Sequence, residues 1–370
     1  MGGKVERVMF NAGDYVTWRR PGGIVFREDS MAWHKAVPEM AKAYTDIIVF
    51  GEGGPYNQAV LSQRETLGCR VWVLENGYFR PDWITLEEGG VNGSSSLPRE
   101  AAGYPTPGPL LPITHPIGKI LPHHVINISL YHLYQMVGGL AFKRYRHPYT
   151  MSPLWQFWGH VQRYVSLGMQ PRNACDADVI RARGPFFIAC LQREGDAQLL
   201  RYSKYADNTA FLAEVMTSFA AHAPQDARLV VKNHPLDPGL NDLAHMTRCL
   251  AVERGLEGRV DFIDGGNLAQ LCRAAEGMVV NNSSAALSAL GFGTPVKVLG
   301  QAFFDFEGLT DQGSMDGFWS KPTACCPKLF AAFRAHVIAK SQINGNFHEP
   351  RAIKLTAQRI AEVFAGPSRG

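Results

Sequence analysis

The chain has 370 residues, 46% of them hydrophobic, and its 37 Lys and Arg against 33 Asp and Glu give a formal net charge of +4. Because a single hydrophobic core stops growing at about 250–300 residues, this length predicts two domains. The small positive excess is not typical of a dedicated nucleic-acid-binding protein, so we expect no nucleic-acid partner. The apolar and aromatic content excludes general disorder.

In chain order, the first part shows the apolar patterning of alternating strands and helices. The predicted strands are 5–10, 46–50 and 70–74, and the predicted helices are 30–44 and 55–67. A Pro- and Gly-rich irregular stretch follows at 89–122, and then an aromatic, basic and helical region at 123–167.

The later part of the chain alternates more regularly. Its predicted strands are 186–191, 229–232, 260–263, 278–280 and 296–299, and its predicted helices are 207–222, 240–254, 267–275, 284–291, 327–341 and 352–365. Such alternation indicates a parallel sheet covered by helices on both faces. The sequence therefore predicts an α/β protein of two Rossmann-like domains that face a cleft, with domain limits at 1–170 and 171–345 and a terminal helix at 346–370.

The cysteines and the lengths of the apolar runs indicate the cellular compartment of the chain. The cysteines are odd in number and form no Cys-x-x-Cys motif, which is typical of reduced thiols in the cytoplasm; they are Cys69, Cys175, Cys190, Cys249, Cys272, Cys325 and Cys326. The sequence has no run of about 18 apolar residues, and its first residues lack the apolar core of a secretory signal. We predict a cytoplasmic chain without a membrane-spanning helix.

Polar residues follow several predicted strands, where open parallel sheets bind ligands. His234, stiffened by Pro235, has the chemistry to donate to a phosphate, or it caps a turn. Ser283 and Ser284 open a helix, where they either cap it or help its free N–H groups to bind a phosphate. An anion site is favoured because both motifs end strands of the same predicted sheet.

Carboxylates also follow predicted strands, one in each domain: Glu75 after 70–74 and Asp196 after 186–191. Glycosyl transfer uses such carboxylates as base or nucleophile, although acids are also common in surface loops. The sequence has no His-Glu-x-x-His, Walker or Gly-x-Gly-x-x-Gly motif, and no Cys/His group with metal-ligand spacing. We therefore expect no metal and no resident cofactor.

The helical region at 123–167 mixes cations with aromatic side chains. Such a mixture suits docking on an anionic membrane surface, or it is a solvated helix face with aromatic residues in the core. The residues concerned are Lys143, Arg144, Tyr145, Arg146, His147, Trp155, Phe157 and Trp158.

Four long segments carry a family resemblance: 75–100, 191–196, 230–239 and 279–313, followed by Phe318-Trp319. The sequence resembles the capsule polysaccharide biosynthesis proteins of the KpsS type, which are β-Kdo glycosyltransferases. The resemblance covers most of the chain after about residue 45. Relatives begin with an extra strand and a Gly/Pro-rich loop, so we expect the amino-terminal domain to lack its first strand.

The resemblance implies a GT-B-like architecture, with an acceptor-side first domain and a nucleotide-sugar-binding second domain. The implied donor is CMP-β-Kdo, and the implied acceptor is lyso-phosphatidylglycerol, whose glycosylation initiates the lipid linker of a capsule. The implied location is the inner face of the cytoplasmic membrane, where other capsule assembly proteins are expected partners. Retention of the β configuration implies a covalent sugar–enzyme adduct.

Carried onto this chain, the resemblance makes Asp196 the nucleophile and Glu75 the general base. His234 would hold the CMP phosphate and help it to leave. The implied donor and phosphate contacts, with Lys232 and Arg80 as candidates for the Kdo carboxylate, are Lys232, Pro235, Asn282, Ser283, Ser284, Gln192, Arg80, Gly308, Leu309 and Thr310. Asp305 belongs to the same nucleotide-facing loop, for which a structural turn is the alternative.

Two other functions remain open at this point. One is a transferase of the same architecture that uses another CMP-sugar, such as CMP-sialic acid. The other is a non-catalytic scaffold for capsule assembly or export.

Overall fold

A computed structural model describes residues 3–118, 120–147, 153–169, 175–193, 199 and 201–365. The chain divides into two compact units by its internal contacts. The first is drawn from Met1–Val91, Leu111–Tyr149 and Ile338–Gly370, and the second from Asn92–Leu110 and Thr150–Val337. The units interleave along the chain, and the contiguous domain limits given above stay predictions.

The strands and helices of the described residues are numbered in chain order. The strands are β1 (Arg7–Met9), β2 (Gly23–Val25), β3 (Asp46–Phe50), β4 (Arg70–Asn76), β5 (Trp83–Glu88), β6 (Phe186–Cys190), β7 (Arg228–Lys232), β8 (Val260–Ile263), β9 (Gly277–Val280), β10 (Val296–Val298) and β11 (Gln342–Asn344). The α-helices are α1 (Ala12–Thr17), α2 (Ser30–Ala41), α3 (Pro55–Leu61), α4 (Ile120–Val137), α5 (Pro153–Met169), α6 (Ala177–Arg181), α7 (Asn208–His222), α8 (Leu243–Glu253), α9 (Leu268–Ala274), α10 (Ala285–Gly291), α11 (Met315–Phe318), α12 (Pro327–Ser341) and α13 (Pro350–Ala365).

The first unit contains a mixed sheet of order β11-β5-β4-β3 and a parallel pair, β1 with β2. Strand β4 runs parallel to β3 and antiparallel to β5. Its alternate residues Val71 and Val73 are buried, and they pack with Trp33 and Val37 of α2. The two-residue period of a strand thus places one face of β4 in the core.

The second unit is built on a parallel sheet of order β10-β9-β6-β7-β8. Every residue of the central strand β6 (FFIAC) is buried, because helices cover both faces of a parallel sheet. Phe187 of β6 packs against Phe219 of α7 and Trp319 after α11. All five carboxyl ends meet at one edge, and this edge positions the candidate site.

The predicted α/β class is confirmed, as is the parallel sheet of the second half, whose strands match the predicted ranges to within one residue. The predicted helical region at 123–167 contains α4 and α5. Strands β2, β5 and β11 were not predicted. Among the described helices, none is both long enough and apolar enough to cross a bilayer.

Candidate active site

The carboxyl edge of the five-stranded sheet brings together most of the residues predicted in the second half of the chain. Strand β6 leads to Gln192, β7 leads to His234, and β9 leads to Asn282 and Ser283. Strand β6 lies between its parallel neighbours β7 and β9, so these residues share one end of the sheet.

A network of amide side chains joins the ends of β6 and β9. The Gln192 Nε2 donates to Asn282 Oδ1 at 2.7 Å, and Asn281 Nδ2 donates to Gln192 Oε1 at 3.0 Å. Asn208, at the start of α7, donates to the Gln192 carbonyl at 2.8 Å and accepts from its N–H at 3.2 Å. These side chains are buried, so they hold the two strand ends in register with each other.

A glycine makes room for this network. A Cβ at position 300 would overlap Asn281 Oδ1 and lie 3.0 Å from the carbonyl oxygen of Tyr202. Gly300 follows β10, and its N–H donates to the Asn281 carbonyl at 2.9 Å. The close approach of the ends of β9 and β10 therefore requires a glycine at position 300.

The His234 ring is held in a defined tautomer. The Leu236 N–H donates to His234 Nδ1 at 3.1 Å, so in the neutral ring the proton resides on Nε2. The His234 N–H donates in turn to Asn233 Oδ1 at 2.8 Å. Nδ1 accepts the hydrogen bond that caps the turn, and Nε2 carries the hydrogen that can be donated to a phosphate. The two functions are therefore compatible in one residue.

The loop that carries His234 is organised by Arg163 of α5, which the sequence analysis did not single out. Its guanidinium binds Asp264 at 2.7 and 2.5 Å, and it donates to the carbonyls of His234 at 3.1 Å, Pro235 at 3.0 Å and Asp237 at 2.5 Å. All five N–H donors of the guanidinium are used. The side chain is buried, with an exposed fraction of 6%.

Two glycines let α5 approach this loop. A Cβ at Gly159 would overlap the Pro238 carbonyl oxygen, and Gly239 has φ +68° with Arg163 Cβ 3.0 Å from where its own Cβ would lie. A Gly-x-x-x-Arg pattern inside a predicted helix is the only sequence signal that could have indicated this contact.

Lys232 and Arg80, the two residues predicted to contact the Kdo carboxylate, each donate a hydrogen bond to a backbone carbonyl. Lys232 is buried at the end of β7, and its Nζ donates to the Gly265 carbonyl at 2.8 Å. That bond joins the ends of β7 and β8. Arg80 follows β4 in the first unit, is exposed, and donates from Nε to the Gly77 carbonyl at 3.2 Å.

The serine pair opens α10. Ser283 Oγ accepts from the Ala285 N–H at 3.3 Å, whereas the Ser284 hydroxyl makes no capping bond. Both residues are half-buried. The capping alternative therefore describes Ser283, and the phosphate contact of the pair stays a prediction.

The loop after β10 has the hydrogen bonds of a structural turn. Thr310 Oγ1 donates to Asp305 Oδ1 at 2.6 Å, Leu309 is fully buried, and Gly308 has φ +89°. The side chain of Leu309 is thus part of the core, so a contact from this residue to a nucleotide would come from its backbone. The nucleotide-binding assignment of the loop stays a prediction.

The two predicted catalytic carboxylates differ in what the structure describes. Glu75 is half-buried on β4 of the first unit, opposite Thr85 of β5. Asp196 lies outside the described residues, and its role stays a prediction. Pro235 is exposed beside His234, and its carbonyl binds Arg163.

The cysteines are free thiols throughout the described ranges. Burial raises the pKa of Cys190, at the end of β6, to about 11, so this thiol stays neutral at physiological pH. No group of three His, Cys, Asp or Glu side chains within the described residues could hold a metal ion.

Comparisons with known proteins agree with the resemblance seen in the sequence. The family model described as "Capsule polysaccharide biosynthesis protein" matches residues 45–348. The Escherichia coli protein named "Capsule polysaccharide export protein KpsS" is 30% identical over 94% of this chain and 91% of its own. The Neisseria meningitidis serogroup B protein named "Capsule polysaccharide modification protein LipB" is 31% identical over 94% of this chain and 86% of its own.

Among solved structures, Thermosulfurimonas dismutans KpsC, titled a beta Kdo 2,7 transferase, aligns over 94% of both chains with a TM-score of 0.43 and 16% identity. The matched region 45–348 contains the whole carboxyl edge of the parallel sheet, including His234 and the serine pair. The chain belongs to the capsule polysaccharide biosynthesis protein family.

Proposed function

We propose that the chain is a retaining β-Kdo glycosyltransferase that moves Kdo from CMP-β-Kdo to a lyso-phosphatidylglycerol acceptor. The observation that carries the proposal is the His234 loop at the carboxyl edge of the parallel sheet. There the ring is held with its proton on Nε2 at the end of β7, and only β6 separates β7 from β9, the strand that leads to the serine pair. A neutral N–H donor and a pair of hydroxyls suit a phosphate leaving group.

In the proposed first step, a carboxylate oxygen of Asp196 attacks the anomeric carbon of Kdo. The bond from that carbon to the phosphate oxygen of CMP breaks, and CMP leaves with the electron pair. His234 Nε2–H, together with the amides and hydroxyls of Ser283 and Ser284, stabilises the charge that develops on the phosphate. The proposed reaction uses these fixed dipoles in place of a metal ion.

In the proposed second step, the acceptor hydroxyl attacks the same carbon, and Glu75 takes its proton. The carboxylate of Asp196 is released as the new glycosidic bond forms. Two inversions give net retention of the β configuration. Arg163 keeps His234 in place during both steps, because it binds the carbonyl of that residue and those of Pro235 and Asp237.

We further propose that the protein works on the cytoplasmic face of the membrane, where its acceptor and other capsule assembly proteins are found. Lys143, Arg144 and Arg146 are exposed and suit contact with anionic lipids. Two predicted members of this group differ from the prediction. Tyr145 is half-buried and stacks on Tyr56 with centroids 5.5 Å apart, so it belongs to the core of the first unit.

His147 is also half-buried. Desolvation by burial and the charge of His132 lower its pKa, so it adds no charge at neutral pH. Trp155 and Trp158 are exposed, and the side chain of Phe157 lies outside the described residues.

The decisive experiment is mass spectrometry of the product formed from CMP-Kdo and a lyso-phosphatidylglycerol analogue. A product heavier by one Kdo is expected, and CMP-sialic acid supplied in place of CMP-Kdo should give none. His234→Ala should slow the transfer by about 100-fold or more, because it removes a donor to the leaving phosphate. His245→Ala, at an exposed histidine of α8, is the matched control and should leave the rate unchanged.

Product formation from CMP-sialic acid alone would replace the donor in this proposal. Capsule initiation that persists in cells carrying both Asp196→Ala and His234→Ala would favour the scaffold function instead.

A further inference from the structure

Helix α4 presents a stripe of large apolar side chains to the solvent. The positions repeat at four- and three-residue intervals, which places them on one face of the helix. The exposed fractions along this outward stripe are 55% for Ile126, 44% for Leu130, 49% for Leu133 and 77% for Val137. The following residue Leu140 is 83% exposed and extends the stripe beyond the helix.

The opposite face of α4 is fixed to α1, so the stripe has no freedom to turn inward. Tyr131 OH donates to Asp14 Oδ1 at 3.0 Å and accepts from Asn11 Nδ2 at 2.9 Å. The ring of Tyr131 lies 2.7 Å from where a Cβ at Gly13 would be. Gln135, one turn after Tyr131, is buried.

Exposed apolar side chains also occur in the chain just before α4. Leu111 is 47% exposed and Ile113 is 80% exposed in the irregular segment that precedes the helix. A row of large apolar side chains exposed along one face of a helix is uncommon on a protein that remains free in water, and it marks a surface that contacts something else.

The charge of this region identifies the occupant. Residues 111–149, which belong to the first unit, contain no Asp and no Glu, and their basic residues are Lys119, Lys143, Arg144 and Arg146. Arg144 forms an ion pair with Glu28, and Lys143 and Arg146 are exposed. Helix α4 itself has no charged residue other than histidine. A second copy of the chain would bring like charges together across a symmetric contact, whereas an anionic bilayer meets them with opposite charge.

We propose that the outward stripe of α4 inserts into the interfacial layer of an anionic phospholipid bilayer. The exposed cations Lys143 and Arg146 lie a few residues after the stripe and bind the phosphate headgroups. The inference deepens the proposed function, on which it rests for the identity of the acceptor lipid. It names the surface by which the first unit reaches that lipid.

The test is co-sedimentation with vesicles. Vesicles that mix phosphatidylglycerol with phosphatidylcholine should bind the wild-type chain, and pure phosphatidylcholine vesicles should bind it much more weakly. Leu130→Ser/Leu133→Ser should weaken binding by about tenfold or more, because two apolar side chains no longer leave water. The matched control is Val252→Ser/Ile353→Ser, at positions 59% and 42% exposed in helices α8 and α13, and it should bind as the wild type does.

A second measurement separates this inference from the proposed function. Transfer of Kdo to a water-soluble glycerophosphate acceptor should be equal in the wild type and Leu130→Ser/Leu133→Ser, while transfer to vesicle-borne acceptor falls in the variant. Vesicle binding is measured without CMP-Kdo. Absence of Kdo transfer by the wild type would therefore contradict the proposed function but not the proposed membrane-binding surface.

Three results would overturn the membrane surface. The first is a wild type that does not sediment with the phosphatidylglycerol vesicles at low salt. The second is equal vesicle binding by Leu130→Ser/Leu133→Ser and the wild type. The third is a wild-type dimer in light scattering that the same variant converts to a monomer without a change in vesicle binding, because the occupant would then be a second copy.

Discussion

The carboxyl edge of the parallel sheet buries polar side chains, whereas the outward stripe of α4 exposes apolar ones. At the sheet edge, buried polar groups are held by hydrogen bonds, as the five donors of Arg163 and the paired amides of Gln192 and Asn282 show. On α4, apolar side chains such as that of Leu133, which is 49% exposed, remain partly in water. Removing the hydrogen-bond partner of a buried polar group lowers the free energy of unfolding of the protein. An exposed apolar side chain makes no such bond. The same size of substitution should therefore have very different effects in the two regions.

The largest effect is expected from Arg163→Met. This change leaves the carboxylate of Asp264, whose side chain is 11% exposed, without its cation, and it removes the donors to three loop carbonyls. Breaking a buried ion pair from one side costs about 3–5 kcal/mol, which urea unfolding would measure. Arg144→Met is the matched control, because Arg144 forms an exposed ion pair with Glu28, and such pairs contribute about 0–1 kcal/mol.

Arg163→Lys sharpens the test. A lysine restores the charge beside Asp264 but has three donors in place of the five in a planar fork, so recovery should be partial. Equal unfolding free energies for Arg163→Met and Arg144→Met would show that the sheet edge does not depend on this cation.

A smaller effect is expected from Gly300→Ala. The added methyl group would overlap Asn281 Oδ1 and press on the Tyr202 carbonyl, and such overpacking costs about 1–3 kcal/mol. Gly168→Ala is the contrasting control, since a Cβ at that position in α5 meets nothing within 4 Å. Because Gly168 is the next-to-last residue of α5, alanine there should leave the thermal midpoint unchanged or raise it slightly, whereas Gly300→Ala should lower it.

The two units also show which parts of the structure the sequence was able to predict. The strand ranges of the second unit followed from short apolar runs, and the strand ends located His234 and the serine pair. Arg163 was not found, because its partner His234 is 71 residues away and the Gly-x-x-x-Arg pattern does not identify what the arginine contacts. Strand β11 pairs with β5 across more than 250 residues, with Gln342 opposite Thr85, which is equally invisible to local patterning.

A pair of histidines, His124 in α4 and His348 just before α13, provides a pH-dependent effect of intermediate size. His124 Nδ1 and His348 Nε2 are 2.8 Å apart, and burial together with the charge of His124 lowers the pKa of His348 to about 4. The unfolded chain then binds a proton near its ordinary pKa of about 6.5 while the folded chain does not. Stability is complete above pH 6.5 and is lost as the pH falls toward 4.

Because the His348 ring is half-exposed, we expect a loss of about 1 kcal/mol between pH 7 and pH 5, less than the full pKa shift implies. Urea unfolding at both pH values measures it. His348→Gln removes the titrating ring, and its unfolding free energy should change less over this range than that of the wild type. A wild type and a variant with the same pH dependence would contradict the pairing.

The smallest effect is expected from Leu133→Ala on the outward stripe. Its unfolding free energy should fall by no more than about 1 kcal/mol, because Leu133 is already 49% exposed in the folded chain. Leu212→Ala in α7 is the matched control, since Leu212 is fully buried and its truncation costs about 2–5 kcal/mol. Similar losses for the two variants would mean that the stripe is buried in solution. A neutral Leu133→Ala that nevertheless weakens vesicle binding would instead show that α4 retains its apolar face for contact with the bilayer rather than for folding.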